Sequence, residues 1–347
     1  MLEVVVHAGP KAEIIESPIP VPNDDQVVIK VVVSGSNPKD WKVPEWTGRV
    51  VNEGDDIAGI VHQVGKNVTE FKPGDRVAAF HEMGAPGGSY AEYAVAWAHT
   101  TFHIPEKTSF EEAATIPLAA MTAAIGLFSR LQLPDPWTPS PSSIPLIIYG
   151  GSTAVGAYAI KLAVRANIHP LIVVAGGGAH YVEKLIDRTK GDTIIDYRPG
   201  PDAVVQGIQD ALRSTGHQKV EYAFDAVSAH GSAQNILKVL DPNGTITFVL
   251  PYQDIADTFP PTLRHSWTVV GCVHGTMGGN DRDKDFGYVY FRYMARGLAE
   301  GWFTGHPHEV RQNGLEGVDQ ALKDLKAGKA SAVKYVFRIG ETPSLKK

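Results

Sequence analysis

The sequence of 347 residues holds one cysteine, Cys272, so no intramolecular disulfide can form. Nothing in it calls for an oxidising compartment. It has no block of like charges: 32 Lys and Arg stand against 38 Asp and Glu, a formal net charge of −6. A nucleic-acid binder would show a basic patch, and none is present. The longest apolar run, IPLAAMTAAIGLF, is too short to span a membrane and contains Thr122. The opening MLEVVVHAGPKAEI lacks the basic start and apolar core of a secretory signal. No internal repeat is visible. These absences lead us to expect a cytoplasmic protein with neither nucleic acid nor membrane as partner.

A 43% hydrophobic composition is ample for a buried core, and the length suggests two or three domains. The first third reads mostly as short strands: QVVIKVVVSGS is a β-branched run, DDIAGIVHQVG alternates around glycines, and FKPGDRVAAF and GGSYAEYAVA set turn residues before strands. Such a series suggests a barrel or sandwich. SFEEAATIPLAAMTAAIGLFSRL then changes to helical spacing, with acids in its first turn. The proline-rich LPDPWTPSPSSIP lies between a helix and a strand and reads as a surface loop inside one domain. After it, PLIIYG, PLIVVAG, DTIIDY, VEYAFDAV and GTITFVL alternate with helical segments, including AVGAYAIKLAVRAN and HYVEKLIDRTK. That alternation predicts βαβ units and a parallel sheet. It ends near TVVGCVHG; the amphipathic DFGYVYFRYMARGLAEGW, then LEGVDQALKDLKAG, and a last strand VKYVFRI follow.

Between PLIIYG and the next helix lie Gly150, Gly151, Ser152, Thr153, Ala154, Val155 and Gly156. Glycines at a strand-to-helix turn let backbone approach a pyrophosphate, and a helix N-terminus offers unpaired N–H groups. Gly156 would allow close packing of helix on strand. The spacing is not a clean G-x-G-x-x-G and on its own fits a plain βα turn; the strand before, the helix after and the further βα units make it a dinucleotide site. NAD-preferring folds end the second strand in an acid that holds the ribose 2′-hydroxyl. Here that strand ends in Ala175, Gly176, Gly177 and Gly178, with no acid to repel a 2′-phosphate. Lys184 in the next helix, with Tyr197 and Arg198 after the following strand, would complete an NADPH site; the bland alternatives are a solvated helix lysine and a surface-loop arginine.

GDDIAGIVHQVG, FKPGDRVAAF, GGSYAEYAV, AATIPLAAMTAAIGL, the glycine turn and LKAGKASAVKYVFRI together resemble the medium-chain dehydrogenase/reductases over nearly the whole chain. Within that superfamily the sequence resembles the zinc-independent quinone oxidoreductase and ζ-crystallin branch, and most of all its fungal enoyl-reductase-like members, which share N-P-x-D-W-K, here Asn37 to Lys42. The resemblance implies an α/β fold with a Rossmann doubly wound sheet inserted into a GroES-like β-barrel: a catalytic domain over 1–116 plus 275–347, a Rossmann NADPH-binding domain over 117–274, and an active site in the cleft between them. Homodimers are among the assemblies the resemblance allows.

Zinc-dependent members of the superfamily use a Cys, a His-Glu pair and a second Cys or carboxylate. The first position falls here in SGSNPKD and the pair in GDD, with neither cysteine nor histidine, and we expect no zinc. His306 and His308 read as part of a solvated loop. Without a Lewis acid, reduction of a conjugated enone or quinone is easier than alcohol oxidation, because hydride addition leaves a delocalised anion.

The resemblance also implies site residues. Lys42 stands where relatives often carry a tyrosine; its ammonium could bond the carbonyl oxygen of the substrate and stabilise the enolate, with a lowered pKa if the site is apolar, or be a surface lysine, leaving water as proton donor. Asn37 would hold the carbonyl or a water, or be a turn residue before Pro38. Asp40 would order the loop, and Trp41 wall the pocket or pack. Thr122 would lie by the nicotinamide-side phosphate or ribose. Leu250 and Val273 would lend backbone near the nicotinamide, and Lys329 or Lys334 would reach a cofactor phosphate. The expected activity is NADPH-dependent reduction of quinones or α,β-unsaturated carbonyls. The alternatives are a trans-acting enoyl reductase partnering a polyketide synthase, and a catalytically silent, crystallin-like NADPH-binding protein.

Overall fold

The computed structural model describes residues 1–346. The chain forms two compact units, Met1–Met121 with Gly271–Lys347, and Thr122–Val270.

The first unit opens with a hairpin of β1 (Leu2–His7) and β2 (Lys11–Glu16). Next come β3 (Gln26–Gly35), helix α1 (Lys39–Thr47), β4 (Asp56–Val64), β5 (Arg76–Phe80), β6 (Tyr93–Trp97) and β7 (Thr101–His103). The strands match the alternating runs expected there. Helix α1 was not foreseen. Pro38 precedes it, Pro44 lies inside it, and its only fully buried residues are Asp40 and Pro44, so it has no apolar stripe to read. Helices α2 (Phe110–Ala113) and α3 (Pro117–Ala124) follow; Ser109 caps α2 by accepting from Glu112 N at 3.0 Å. The stretch Phe110–Arg130 has the length and apolarity of a membrane span, and 89% of its most apolar window is buried inside the protein.

The second unit holds β8 (Leu146–Tyr149), α4 (Ala154–Arg165), β9 (Leu171–Ala175), α5 (Ala179–Val182), β10 (Thr193–Asp196), α6 (Pro201–Ser214), β11 (Val220–Asp225), α7 (Ser232–Leu237), β12 (Leu240–Phe248), α8 (Gln253–Ala256) and β13 (Arg264–Trp267). All pairings in its sheet are parallel, in the order β10-β9-β8-β11-β12-β13. This is the doubly wound arrangement, with its switch of direction between β8 and β11. β8 and β9 are buried along their whole length, which is why they read as unbroken apolar runs. The proline-rich loop is pinned within this unit: Ser140 N donates to Ala166 O at 2.9 Å and Asn167 Nδ2 to Ser140 O at 2.7 Å. HYVEKLIDRTK is helical only over α5 and the 3-10 turn Arg188–Lys190; Asp187 accepts from Thr189 N, a local turn that competes with helix.

The chain then returns to the first unit with α9 (Asp281–Glu300), β14 (His308–Arg311), α10 (Val318–Lys326) and β15 (Lys334–Arg338). Asn280 caps α9 in a reciprocal capping box with Asp283, and Gly301 ends it at φ 85°. The sheet of this unit runs β14-β15-β3-β4-β5-β7, with β6 on β3. Its core joins Val4, Val27, Ile29, Ile57 and Val77 to Leu322 and Phe337 from the chain's far end.

Candidate functional site

In the second unit the glycine turn has the form an anion cradle needs. Gly150 adopts φ 90°, and its N–H and that of Gly151 both donate to Val174 O, at 2.9 and 3.0 Å. Thr153 is the N-cap of α4: its hydroxyl donates to Gly150 O and accepts from Gly156 N at 3.0 Å. The N–H groups of Ser152, just before α4, and of Ala154 and Val155 in its first turn have no backbone acceptor among the described residues. A Cβ on Gly156 would run into Gly150 O, and one on Gly151 into Val173 Cγ1. The glycines are therefore required by close approach, and the residues present fit a bound pyrophosphate.

At the end of β9, Gly176 is covered by the Tyr197 ring, which a Cβ there would strike. Gly177 is exposed beside it. Lys184 is exposed and makes no ion pair among the described residues. Arg198 differs from expectation: its guanidinium forks onto Asp196 at 2.6–3.0 Å, so its charge is already matched. Leu250 follows β12, beside a cavity of about 180 Å³ lined by Ser228, His230, Gln234, Phe248, Pro251 and Tyr252. The cavity lies past the carboxyl ends of β11 and β12, where such sheets take ligands. Our sequence reading missed Ser228 and His230, both at positive φ (51° and 55°). Their signal was the acid Asp225 just before them, which accepts from Val227 N, Ser228 N and Ser232 Oγ; burial pushes its carboxyl up to about 6.

In the first unit the N-P-K-D-W-K motif starts α1. Asn37 is buried and differs from expectation: its Nδ2 donates to Asp56 Oδ2 at 2.6 Å and its Oδ1 accepts from Lys334 Nζ at 3.0 Å, so its amide holds protein rather than a substrate carbonyl. Lys334 is 4% exposed and lies 2.5 Å from Asp56 Oδ2, so its charge is spent on that carboxylate and not on a phosphate. Lys329 is paired with Asp324 at 2.9 Å. Val273 is fully buried, its carbonyl bonded by His99 Nε2 at 2.8 Å, and Thr122 is buried in α3. His306 is buried rather than part of a solvated loop: its N–H donates to Thr115 Oγ1 at 2.9 Å.

Asp40 orders the motif, accepting from Asn37 N at 2.7 Å and Tyr90 OH at 2.6 Å. Burial pushes its carboxyl up to about 7 against the pull of Lys39. Trp41 packs on the barrel core, with the ammoniums of Lys42 and Lys326 5.3 and 5.4 Å from its ring. Lys42 is half-buried, and burial lowers its pKa. Of the charged side chains on α1, Lys39 is paired with Glu53 and Asp55, Asp40 contacts Lys39, and Glu45 is paired with Lys326; Lys42 alone meets no opposite charge among the described residues.

Sequence reasoning passed over Lys39, Glu53, Asp55 and Asp56. The signal was GDD, two acids opening an apolar strand. These two acids also test the zinc that some of the superfamily use. Asp55 is bound to Lys39 at 2.5 Å and to His81 Nδ1 at 2.9 Å, and Asp56 to Lys334, so their oxygens already serve internal cations. Among the described residues no group of three or more His, Cys, Asp or Glu is arranged to hold a metal. The residues do not fit a zinc ion.

The sequence profile of the Alcohol dehydrogenase GroES-like domain matches residues 23–106. Trans-enoyl reductase fsr4 of Gibberella fujikuroi is 50% identical over 315 residues, covering 89% of this chain and 90% of that protein. The chain belongs to the trans-enoyl reductase family of the medium-chain dehydrogenase/reductases. A second member of this family, trans-enoyl reductase resD of Aspergillus sclerotiorum, is 33% identical over 360 residues, covering 95% of this chain and 98% of its own. Among solved structures, an alcohol dehydrogenase superfamily protein from Novosphingobium aromaticivorans overlays with a TM-score of 0.79 at 22% identity, covering 97% of this chain and 99% of the other. As a trans-enoyl reductase family member the chain is an oxidoreductase using a nicotinamide cofactor, on the Rossmann and GroES-like architecture expected of it.

Proposed function

We propose that the chain is an NADPH-dependent, trans-acting enoyl reductase that saturates the α,β double bond of an acyl chain carried by a polyketide synthase. Its kinship with the trans-enoyl reductases favours this over the quinone reductase that was the first expectation from sequence. The observation that carries it is Lys42, a half-buried ammonium left without a counter-charge on a helix whose other charges are all matched.

The N–H groups of Ser152, Ala154 and Val155 would take the pyrophosphate, and Lys184 with the acid-free end of β9 would take the 2′-phosphate. When bound, the reduced cofactor supplies the hydride. Lys42 would donate to the thioester carbonyl oxygen. Its bond strengthens as hydride reaches the β-carbon and charge builds on that oxygen, so it lowers the barrier more than it tightens binding. A lowered pKa brings Lys42 closer to the range in which it could also pass a proton toward the α-carbon.

The test is absorbance loss of NADPH with the purified chain and a panel of enoyl N-acetylcysteamine thioesters, enones and quinones. Turnover of enoyl thioesters, raised when the acyl chain is presented on a carrier protein, is expected. Faster turnover of quinones than of every thioester would restore the quinone reading. NADPH binding with no acceptor reduced would point to the silent binding protein.

A further inference from the structure

Helix α1 buries little apolar surface of its own, yet its first turn is held tightly by charge. Lys39 Nζ donates to Glu53 O at 2.6 Å and Glu53 Oε2 at 3.0 Å, and lies 2.5 Å from Asp55 Oδ2 and 3.3 Å from Asp40 Oδ1. These acids are 0–2% exposed. An ammonium has three protons, fewer than the acceptors gathered around it. Glu53 Oε1, buried and without a hydrogen-bond partner, belongs to the same cluster. Asp55 is held from its other side by His81, whose second ring nitrogen meets Pro86 O at 3.2 Å. Burial raises the Asp55 carboxyl, but Lys39 and His81 outweigh it and the net shift is downward.

We propose that Lys39 is a positioning residue: its ammonium fills a cation site built by Asp40, Glu53 and Asp55, and by filling it seats α1 and fixes where Lys42 stands. The charge cluster joins the start of α1 to the lead into β4 beside two other ties, the packing of Trp41 on the barrel core and the bond from Asn37 Nδ2 to Asp56 Oδ2 at 2.6 Å. Removing the ammonium leaves three buried carboxylates facing one another, and the helix must shift until water or a proton separates them. This inference rests on the reading of Lys42 given above.

Two variants test it. Lys39→Met removes the cation; Lys39→Met/Glu53→Gln removes one charge of each sign and so spares the fold the worst of the repulsion. Each is measured for thermal midpoint, NADPH affinity, kcat and KM with an enoyl thioester, the pH profile of kcat, and the rate at which an amine-specific acetylating reagent labels Lys42, read by peptide mass spectrometry. A role limited to stability would move the midpoint alone. The positioning role predicts that the balanced variant recovers the midpoint while kcat stays about 10- to 100-fold low, the effect of an ångström-scale misplacement. NADPH affinity stays unchanged, the alkaline limb of the pH profile moves, and Lys42 labelling changes severalfold. Wild-type kcat, pH profile and labelling in either soluble variant overturn the proposal, as does failure of both to fold, which would assign Lys39 to folding alone. If the unaltered chain reduces no enoyl thioester, the functional reading fails instead, and labelling of Lys42 still decides whether Lys39 positions it.

Discussion

In the parallel sheet the inward side chains are Ile147, Ile172, Val174, Ala223 and Ile246, and the two buried acids there, Asp192 and Asp225, are satisfied by backbone N–H groups, a serine hydroxyl and one histidine. In the barrel unit the buried acids Asp55 and Asp56 are met by lysine ammoniums, one of them from 278 residues away. The parallel-sheet unit meets its buried acids without a lysine or arginine and shapes its candidate ligand site with backbone. The barrel unit carries lysine charge inside and pairs it. The difference separates two routes to a functional site: glycines and N–H groups that any sheet of this kind can present, and side-chain charges whose balance must be complete.

The heaviest blow to that contrast should come from Lys334→Met, which leaves Asp56 buried without a cation. Loss of one partner of a buried pair costs about 3–5 kcal/mol, and most of it should return in Lys334→Met/Asp56→Asn. Denaturant unfolding measures both, and an unstable double variant would mean that the pair does more than cancel its own charge. Next in size is Lys42→Ala. It should lower kcat/KM for enoyl thioesters by about 10- to 1,000-fold, the range for losing one such donor, with NADPH affinity nearly unchanged. Unaltered turnover would make Lys42 a solvated side chain. In the parallel-sheet unit, Gly156→Ala should cost about 1–3 kcal/mol, because backbone at Gly150 cannot give way, and should weaken NADPH binding in the same titration. Retained affinity would show that the turn is not the phosphate cradle. The smallest effect is expected of Lys184→Ala, a loss of about 1 kcal/mol of NADPH affinity as for an exposed ion pair, with NADH binding untouched. Arg198→Ala should do less, since Asp196 already holds that guanidinium.

The same contrast decides what could be read from sequence. The glycine turn, the apolar strands and the acid-free end of β9 are local patterns, and the structure places each where its pattern put it. Asn37 was read as a substrate contact and Lys334 and Arg198 as cofactor contacts, but in the structure each is held by a carboxylate, Asp56 or Asp196. No spacing rule links Lys334 to Asp56 across most of the chain. Lys39 was passed over beside Lys42 because two lysines three residues apart look alike until Glu53 and Asp55 fold against one of them. Helix α1 escaped notice for a related reason: charge seats it, and hydrophobic periodicity records only apolar burial.

The pairing of Lys334 with Asp56 also bears on how the protein is made. At roughly 5–20 residues per second, a ribosome delivers β15 tens of seconds after β4. Through that interval the whole parallel-sheet unit has been synthesised, while Asp56 still awaits its cation and the Val33–Gly35 end of β3 awaits its neighbour. A carboxylate without its cation, even with the amide of Asn37 donating to it, favours water where the interior must become dry. The sheet of the barrel unit can therefore be completed only on chains translated past residue 334.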